Sequence, residues 1–204
     1  MSRRDPITPA DPDEDLALVD AAREGDADAL GELFVRHAGA VRRLLLSVIG
    51  PTEELDDLTQ DVFVRVHRAI GGFRGEARFA TWLHRVTVHT ALSHLRARGR
   101  ERSIAAPPEE IDARPGRGEP TAHERAVGRE LVRRLYGLLA KMTPLRQVAF
   151  TLFEIEGRPI AEVARLTGVP APVAKSRIWF ARKDLRRRAA GDPYLAQLLE
   201  ELER

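Results

Sequence analysis

Residues 158–188 read RPIAEVARLTGVPAPVAKSRIWFARKDLRRR. Their apolar residues recur at helical spacing in two runs, 160–166 and 174–185, which are separated by Thr167-Gly168. Glycine supplies a backbone angle that other residues avoid, the small Ala164 lets the two helices cross closely, and proline pre-sets the first turn of the second helix. The stretch therefore predicts a helix-turn-helix.

The second of these helices is strongly basic, with seven cations between positions 175 and 188 against the single Asp184. In such motifs the N-terminal residues of the second helix meet base edges in the major groove, and flanking cations hold phosphates. The candidate DNA contacts are Lys175, Ser176, Arg177, Arg182, Lys183 and Arg186. The alternative is a helical hairpin whose basic residues only solvate an outer face. We expect one of the aromatics Trp179 and Phe180 to pack on the preceding helix.

Composition excludes several classes of protein. The 204 residues contain no cysteine, which excludes a disulfide scaffold, cysteine-ligated metal sites and a cysteine nucleophile. Formal net charge is only +2, and 30 of the 33 basic residues are arginine. These charges are unevenly distributed, because the first 20 residues are acidic whereas 96–102 and 175–188 are basic. With no apolar run long enough for a membrane span and no apolar segment typical of secretion, we expect a cytoplasmic protein without membrane insertion.

Helical periodicity divides the chain into two parts, and no β-type alternation of any length occurs. We therefore predict an all-α protein of two small helical domains joined by a flexible linker. The expected order is a disordered acidic tail, a helical domain, a proline-rich linker, a helix-turn-helix domain and an amphipathic C-terminal tail, at 1–15, 16–102, 103–122, 123–190 and 191–204. The C-terminal tail could dock either on its own domain or on a partner.

In the first domain, the third predicted helix has two contrasting faces. Thr52 is the expected N-cap, and the apolar stripe is formed by Leu55, Leu58, Val62, Val66 and Ile70. The opposite stripe holds Glu54, Asp57, Asp61, Arg65 and Arg68, with Gln60 beside it. Because carboxylates repel DNA, this stripe favours a basic protein partner. The alternative is a solvated acidic helix start that interacts with the helix dipole.

The fourth helix and the loop before it mix aromatic and basic residues. The aromatics are Phe73, Phe79 and Trp82, and the basic residues are Arg74, Arg78, Arg85, His89 and Arg96. This composition is typical of a surface that binds single-stranded nucleic acid. The aromatics also fall at core spacing, however, so we expect at least two of the three to be buried. His84, His89 and His94 lie on different helix faces, which argues against a metal site.

Four strings occur in one order: DLTQDVFVRVHRAI, FRGEARFATWLHRV, MTPLRQVAF.LFEIEG and IAEVARLTGVP..VAKSRI..ARKDLR. Together they resemble regions 2 and 4 of the sigma-70 family, and the short length resembles its extracytoplasmic-function (ECF) class. The resemblance covers about residues 16–189. It implies a dissociable subunit that directs bacterial core RNA polymerase to promoters and assists DNA melting. It also implies no catalytic residue, metal or cofactor.

The resemblance assigns residues to three surfaces. Contacts with the polymerase core, through its β′ and β subunits, fall on Asp57, Leu58, Gln60, Asp61 and Val62. Capture of the single-stranded −10 element falls on Arg74, Arg78, Phe79, Thr81, Trp82, Arg85 and His89. Recognition of the −35 duplex falls on Pro172, Val173, Lys175, Ser176, Arg177 and Arg182. An anti-sigma factor is the further partner that the resemblance implies.

The chain departs from the family pattern at two places. His89 replaces a usual asparagine, and Pro172-Val173-Ala174 replaces Gly-Thr-Val at the start of the recognition helix, so neither promoter element can be predicted. A second hypothesis is a free-standing helix-turn-helix regulator that binds duplex operator DNA by itself. Enzymatic activity is not expected, because the chain contains no G-x-S-x-G, Walker A or H-E-x-x-H string.

Overall fold

The computed structural model describes residues 12–101 and 122–202, in which all regular structure is helical. The α-helices are α1 Pro12–Arg23, α2 Ala27–Ile49, α3 Leu55–Ala69, α4 Phe79–Glu101, α5 Ala122–Leu139, α6 Pro144–Phe150, α7 Ile160–Thr167, α8 Ala171–Ala189 and α9 Pro193–Leu202. A 3-10 turn, Ile70–Gly72, follows α3, and a π-helical segment, Thr151–Ile155, follows α6. The all-α prediction is confirmed. The expected acidic tail and linker lie outside the described residues, except that 12–15 and Ala122 are helical.

The described residues form two compact units, one comprising those up to Leu46 with Glu53–Ala91 and the other Ser47–Thr52 with those from Leu92 onward. This division falls inside α4, whereas the sequence predicts it at the proline-rich segment 103–122.

In the first unit, sequence signals explain how α2 begins. Gly25 adopts a positive φ of 100°, which ends α1, and Asp26 caps α2. Its Oδ1 accepts backbone N–H bonds from Asp28 and Ala29 at 2.9 and 3.0 Å. The apolar stripe of α3 is buried as expected. The prediction that Thr52 caps α3 is wrong, because Glu54 occupies the N-cap position and makes no side-chain capping bond.

Asp15 corrects the prediction that the acidic tail extends to residue 15. Its side chain is buried, and its Oδ2 lies 3.0 Å from Nε2 of the buried His37. A carboxylate is tolerated inside a protein only where it is paired or hydrogen-bonded. The end of the acidic segment is therefore part of the folded first unit.

In the second unit, α7 and α8 form the predicted helix-turn-helix. Gly168 adopts the left-handed conformation, with φ 68° and ψ 35°, and the following Val169 N–H bonds to the Ala164 carbonyl at 3.0 Å. Pro170 occupies the N-cap position of α8, and Pro172 lies in its first turn. The buried face of α8 consists of Ala174, Ile178, Ala181, Leu185 and Ala189.

The C-terminal tail belongs to the second unit. Leu195 and Leu199 of α9 are buried in one cluster with Leu135 and Leu139 of α5 and residues of α8. Asp192 begins α9 by accepting N–H bonds from Tyr194 and Leu195, both at 3.2 Å. Of the two alternatives that the sequence left open, docking on its own domain is the one observed.

Candidate functional site

The first turns of α8 present a polar surface of the kind expected for duplex recognition. Pro172, Val173, Lys175 and Ser176 are all exposed, because α8 buries the opposite side of the helix. The structure therefore brings these four predicted DNA contacts together on one face.

Arg177 lies at the flank of that face and is half-buried. Its Nη1 atom is buried and has no hydrogen-bond acceptor among the described residues. Buried polar groups are normally paired, and an unpaired donor on a cation is costly. Since that atom is inaccessible in this structure, only the exposed part of the Arg177 side chain is available to a ligand.

The single acidic residue of α8 does not oppose its basic surface. Burial by itself would raise the pKa of Asp184, but hydrogen bonds and charges from Arg188 and Arg187 lower it overall. The Arg188 Nε atom lies 3.0 Å from the Asp184 Oδ2 atom, and Arg187 pairs with Oδ1. Asp184 is thus neutralised within its own helix, and the outer face of α8 remains cationic.

Arg182 is the exception among the predicted contacts of α8. Its Nε donates to Glu154 Oε1 at 2.5 Å, and its guanidinium lies 5.5 Å from the centre of the Phe153 ring. The Glu154 side chain is only 3% exposed, so this ion pair anchors α8 on the π-helical segment. Arg182 therefore positions α8, and its assignment as a DNA contact stays a prediction. Periodicity could not show this pairing, since the partners are 28 residues apart.

Both aromatics of α8 are exposed, contrary to the expectation that one packs on the preceding helix. Trp179 is 54% and Phe180 44% exposed. The contact that Phe180 makes is with α6, where the Arg146 guanidinium lies 5.1 Å from the ring centre. Neither aromatic contributes to the buried face of α8.

Around the loop before α4, unlike on α8, most of the aromatic side chains are buried. Phe73 and Phe79 are buried, and Trp82 packs against them with ring centres 5.4 and 5.8 Å away. The expectation that at least two of the three aromatics are buried is confirmed. It also corrects the assignment of Phe79 to the −10 surface, because a buried ring offers no face to a base.

The polar members of the predicted −10 surface lie around this aromatic cluster. Arg74, Arg78, Arg85 and His89 are exposed, whereas Thr81 and Trp82 are half-buried. Arg74 approaches Glu76 to 3.9 Å, but both side chains are almost fully exposed, and such pairs contribute little. Among the described residues, no group of three or more histidine or acidic side chains could hold a metal ion.

On α3, the predicted protein-binding residues separate into two groups. Asp57, Gln60 and Asp61 are exposed, whereas Leu58 and Val62 are buried in the domain. The prediction that Leu58 and Val62 contact a partner is wrong for this reason. They pack the helix that carries the acidic residues.

An apolar groove that the sequence analysis missed lies between α2 and α3. It has a volume of about 940 Å³, and it is lined by Phe34, Val35, Ala38, Asp56, Thr59, Gln60, Phe63, Val64, His67 and Arg68. Val35 is 82% exposed on the rim of the groove, and the ring centres of Phe34 and Phe63 lie 4.4 Å apart. Val35 stands outside the apolar stripe of α2, which is the one sequence signal that could have indicated this groove.

Two family models account for most of the described chain. Sigma-70 region 2 matches residues 33–101, and sigma-70 region 4 matches residues 132–185. The chain belongs to the sigma-70 family. The loop, α3 and the groove lie within region 2, and region 4 includes the helix-turn-helix except for the last four residues of α8.

Similar proteins identify the class of this sigma factor. The ECF RNA polymerase sigma-E factor of Haemophilus influenzae is 32% identical over 174 residues, which cover 83% of this chain and 92% of the relative. The ECF RNA polymerase sigma factor SigE of Mycolicibacterium smegmatis is 33% identical over 186 residues, which cover 88% and 69%. The protein is a sigma factor of the ECF class, which directs transcription initiation, and the hypothesis of a free-standing regulator is not supported.

Two solved structures share the fold. CnrH in complex with the cytosolic domain of CnrY has a TM-score of 0.57 at 23% identity, covering 88% of this chain and 99% of that one. The sigma factor RpoE of Bartonella quintana, in complex with the anti-sigma factor NepR, has a TM-score of 0.54 at 19% identity, covering 79% and 97%. None of the described helices of this sigma factor is long and apolar enough to cross a membrane.

Proposed function

We propose that this sigma factor binds the polymerase and the two promoter elements through three separate surfaces. The exposed residues of α3 and the adjoining groove bind core RNA polymerase, the segment from Arg74 to His89 captures the −10 strand, and the start of α8 reads the −35 duplex. The observation that carries this proposal is the separation of charge. Asp57 and Asp61 stand beside an apolar groove, whereas the exposed charged residues of the loop and of α8 are mainly cations.

The groove and the acidic residues suit a protein partner. An exposed apolar patch next to charged residues marks a protein interface, since its burial favours association and the charges set orientation. Gln60 lines the groove and lies one turn from Asp57 and beside Asp61, so the two features are continuous. The partner surface is therefore apolar with a basic flank, and we assign it to the β′ subunit of the polymerase core.

The region before α4 suits a single strand. Unstacking one base costs a few kcal/mol, which a stacking surface and phosphate contacts must offset. The half-buried Trp82 is held on Phe73 and Phe79, so its exposed part is already fixed and loses little conformational freedom on binding. In this proposal Trp82 stacks on a base, Arg74, Arg78 and Arg85 hold the backbone, and Phe79 supports the ring from below.

The start of α8 suits duplex DNA. Lys175 and Ser176 face outward and carry hydrogen-bond donors for base edges, and the half-buried Arg177 lies beside them at the flank of the same face. Glu154 and Arg182 hold this helix in place.

Regulation and location follow from the same assignment. Two proteins of this fold are known in complexes, one with an anti-sigma factor and one with a cytosolic domain. We infer that an anti-sigma protein likewise restrains this chain. We also infer that the protein acts in the cytoplasm, where core RNA polymerase and the chromosome meet, and that it has no catalytic residue of its own.

Run-off transcription tests the proposal. Core enzyme with the full chain is expected to produce promoter-specific transcripts from genomic DNA that core enzyme alone does not produce. A transcript pattern unchanged by the protein would contradict the proposed function. Sequencing the start sites would then define both promoter elements.

Two substitutions test the assignment of surfaces. Asp61→Arg places a like charge against the proposed basic partner and should weaken core binding about tenfold or more, without changing DNA binding by the isolated chain. Glu24→Arg makes the same charge reversal at an exposed position at the end of α1 and should have no effect. Arg177→Ala should leave core binding intact and weaken promoter binding. Equal loss of both activities in each variant would contradict the assignment.

A further inference from the structure

Two neighbouring aromatic side chains project from the outer face of α8 in this structure. Trp179 and Phe180 pack edge to face, with ring centres 4.8 Å apart and planes at 79°. Each ring keeps about half of its surface exposed. Apolar residues scattered singly on a surface need no explanation, but a contiguous aromatic pair on a binding helix does.

The pair is continuous with the residues proposed to read DNA. Val173 lies seven residues before Phe180, and Ser176 lies three residues before Trp179, so each pair shares a stripe of the helix. Val173 is itself a large exposed apolar residue. An apolar strip thus runs along the proposed reading face of α8.

Cations border this strip on both sides. The Lys183 Nζ atom lies 5.3 Å from the centre of the Trp179 ring, and the Arg146 guanidinium lies 5.1 Å from that of Phe180. The nearby acid, Asp184, is occupied by Arg187 and Arg188. A polyanion with an apolar element therefore complements the surface better than a basic protein does.

Duplex DNA has one apolar group in the major groove, the C5-methyl of thymine, whereas the other base edges present hydrogen-bonding groups. An aromatic ring cannot satisfy those groups, but it gains from covering a methyl. We propose that Trp179 and Phe180 contact thymine methyl groups and make thymine part of the −35 preference of this protein. This inference rests on the proposed function of α8 and names what its central turns recognise.

Selection followed by methyl removal tests the inference. Holoenzyme made from core polymerase and the full chain selects −35 sequences from duplexes randomised in that element. Thymine should be enriched in the part of the element next to that read by Lys175 and Ser176. Replacing that thymine by deoxyuridine removes only the methyl and should weaken binding about fourfold, the effect of exposing one buried methyl group.

The protein variants identify the contact. Trp179→Ala should abolish the difference between thymine and deoxyuridine, and Phe180→Ala should reduce it. Tyr194→Ala is the matched control, since Tyr194 is an exposed aromatic of the same unit on α9; it should retain the full difference.

Three results would overturn the inference: a selected −35 sequence without enriched thymine, equal binding of thymine and deoxyuridine by the unaltered protein, or an unchanged difference in Trp179→Ala. Loss of core or anti-sigma binding in Trp179→Ala, with the methyl effect retained, would instead assign the pair to a protein partner. Failure of the proposed function is separate, since it would appear as absence of promoter-specific transcript from the unaltered holoenzyme.

Discussion

In the first unit, Phe73 and Phe79 lie buried beneath an arginine-rich loop, whereas in the second unit Trp179 and Phe180 project from an arginine-rich helix. Both places have the same composition, aromatic residues among cations. The difference lies in what surrounds them. The loop before α4 needs a core of its own to hold its shape, while α8 already buries a complete face made of alanine, isoleucine and leucine. Aromatic residues beside basic ones thus belong to the buried core in one unit and to an exposed surface in the other.

The largest expected effect compares the same substitution in the two settings. Phe79→Ala should destabilise the first unit by about 3–5 kcal/mol, because it opens a cavity in the aromatic cluster. Phe180→Ala should cost less than about 1 kcal/mol, mainly the loss of the Arg146 contact. Urea denaturation followed by far-ultraviolet circular dichroism measures both changes. The chain has two tryptophans, so tryptophan fluorescence measured in a Trp179→Phe background comes from Trp82 alone and reports on the first unit. Similar losses for the two variants would remove the distinction.

A smaller effect is expected from removing the ion pair between Arg182 and Glu154, which holds α8 against the π-helical segment. Arg182→Met leaves the buried Glu154 carboxylate without its partner and should destabilise the second unit by about 2–3 kcal/mol. Arg186→Met makes the same change at an exposed position of α8 and should stay within about 0.5 kcal/mol. Adding Glu154→Gln to Arg182→Met should recover part of the loss, as a double-mutant cycle would show. A stable Arg182→Met protein with weakened phosphate contacts would restore Arg182 to the DNA surface.

The turn between α7 and α8 should show a more modest effect. Gly168→Ala is expected to destabilise by about 1 kcal/mol, because a side chain strains the left-handed backbone at φ 68°. No atom lies within 4 Å of the added Cβ, so strain is the whole cost. Gly191→Ala, also in open space but without a positive φ, serves as the control in thermal denaturation. Equal midpoints for the two variants would contradict the role of the turn.

The smallest expected effect is on how the stability of the fold depends on pH in the acid range. Hydrogen bonds from Arg133 and Arg134 lower the pKa of Glu130 from 4.5 to about 2. A carboxyl whose pKa is lower in the folded state stabilises the fold above its unfolded pKa and loses that contribution as pH falls through its folded pKa. The difference in thermal midpoint between the unaltered protein and Glu130→Gln should therefore shrink as pH falls from 4.5 towards about 2. A constant difference across this window would contradict the assignment.

The outcome for individual residues shows where sequence reasoning works. Gly168 and the buried stripe of α3 behave as predicted, because left-handed turns and amphipathic periodicity depend on neighbours in the chain.

Other features depend on distant partners, which periodicity along the chain does not show. Arg182 has the residue type of a phosphate ligand but is held by Glu154. Asp15 has the composition of a solvated tail but pairs with His37, 22 residues away. Leu58 and Val62 match the motif that they were assigned to, yet their side chains face inward.

The sequence by itself therefore determined an all-α chain, its helix-turn-helix and its membership of the sigma-70 family, since these follow from local periodicity and ordered motifs. Only the tertiary structure decided which side chains are available to a partner. It buried Phe79 and exposed Trp179, and it opened a groove beside Gln60 by placing α2 and α3 side by side. The physical reason is that periodicity identifies the apolar face of each helix, whereas exposure depends on how far the neighbouring helices cover it.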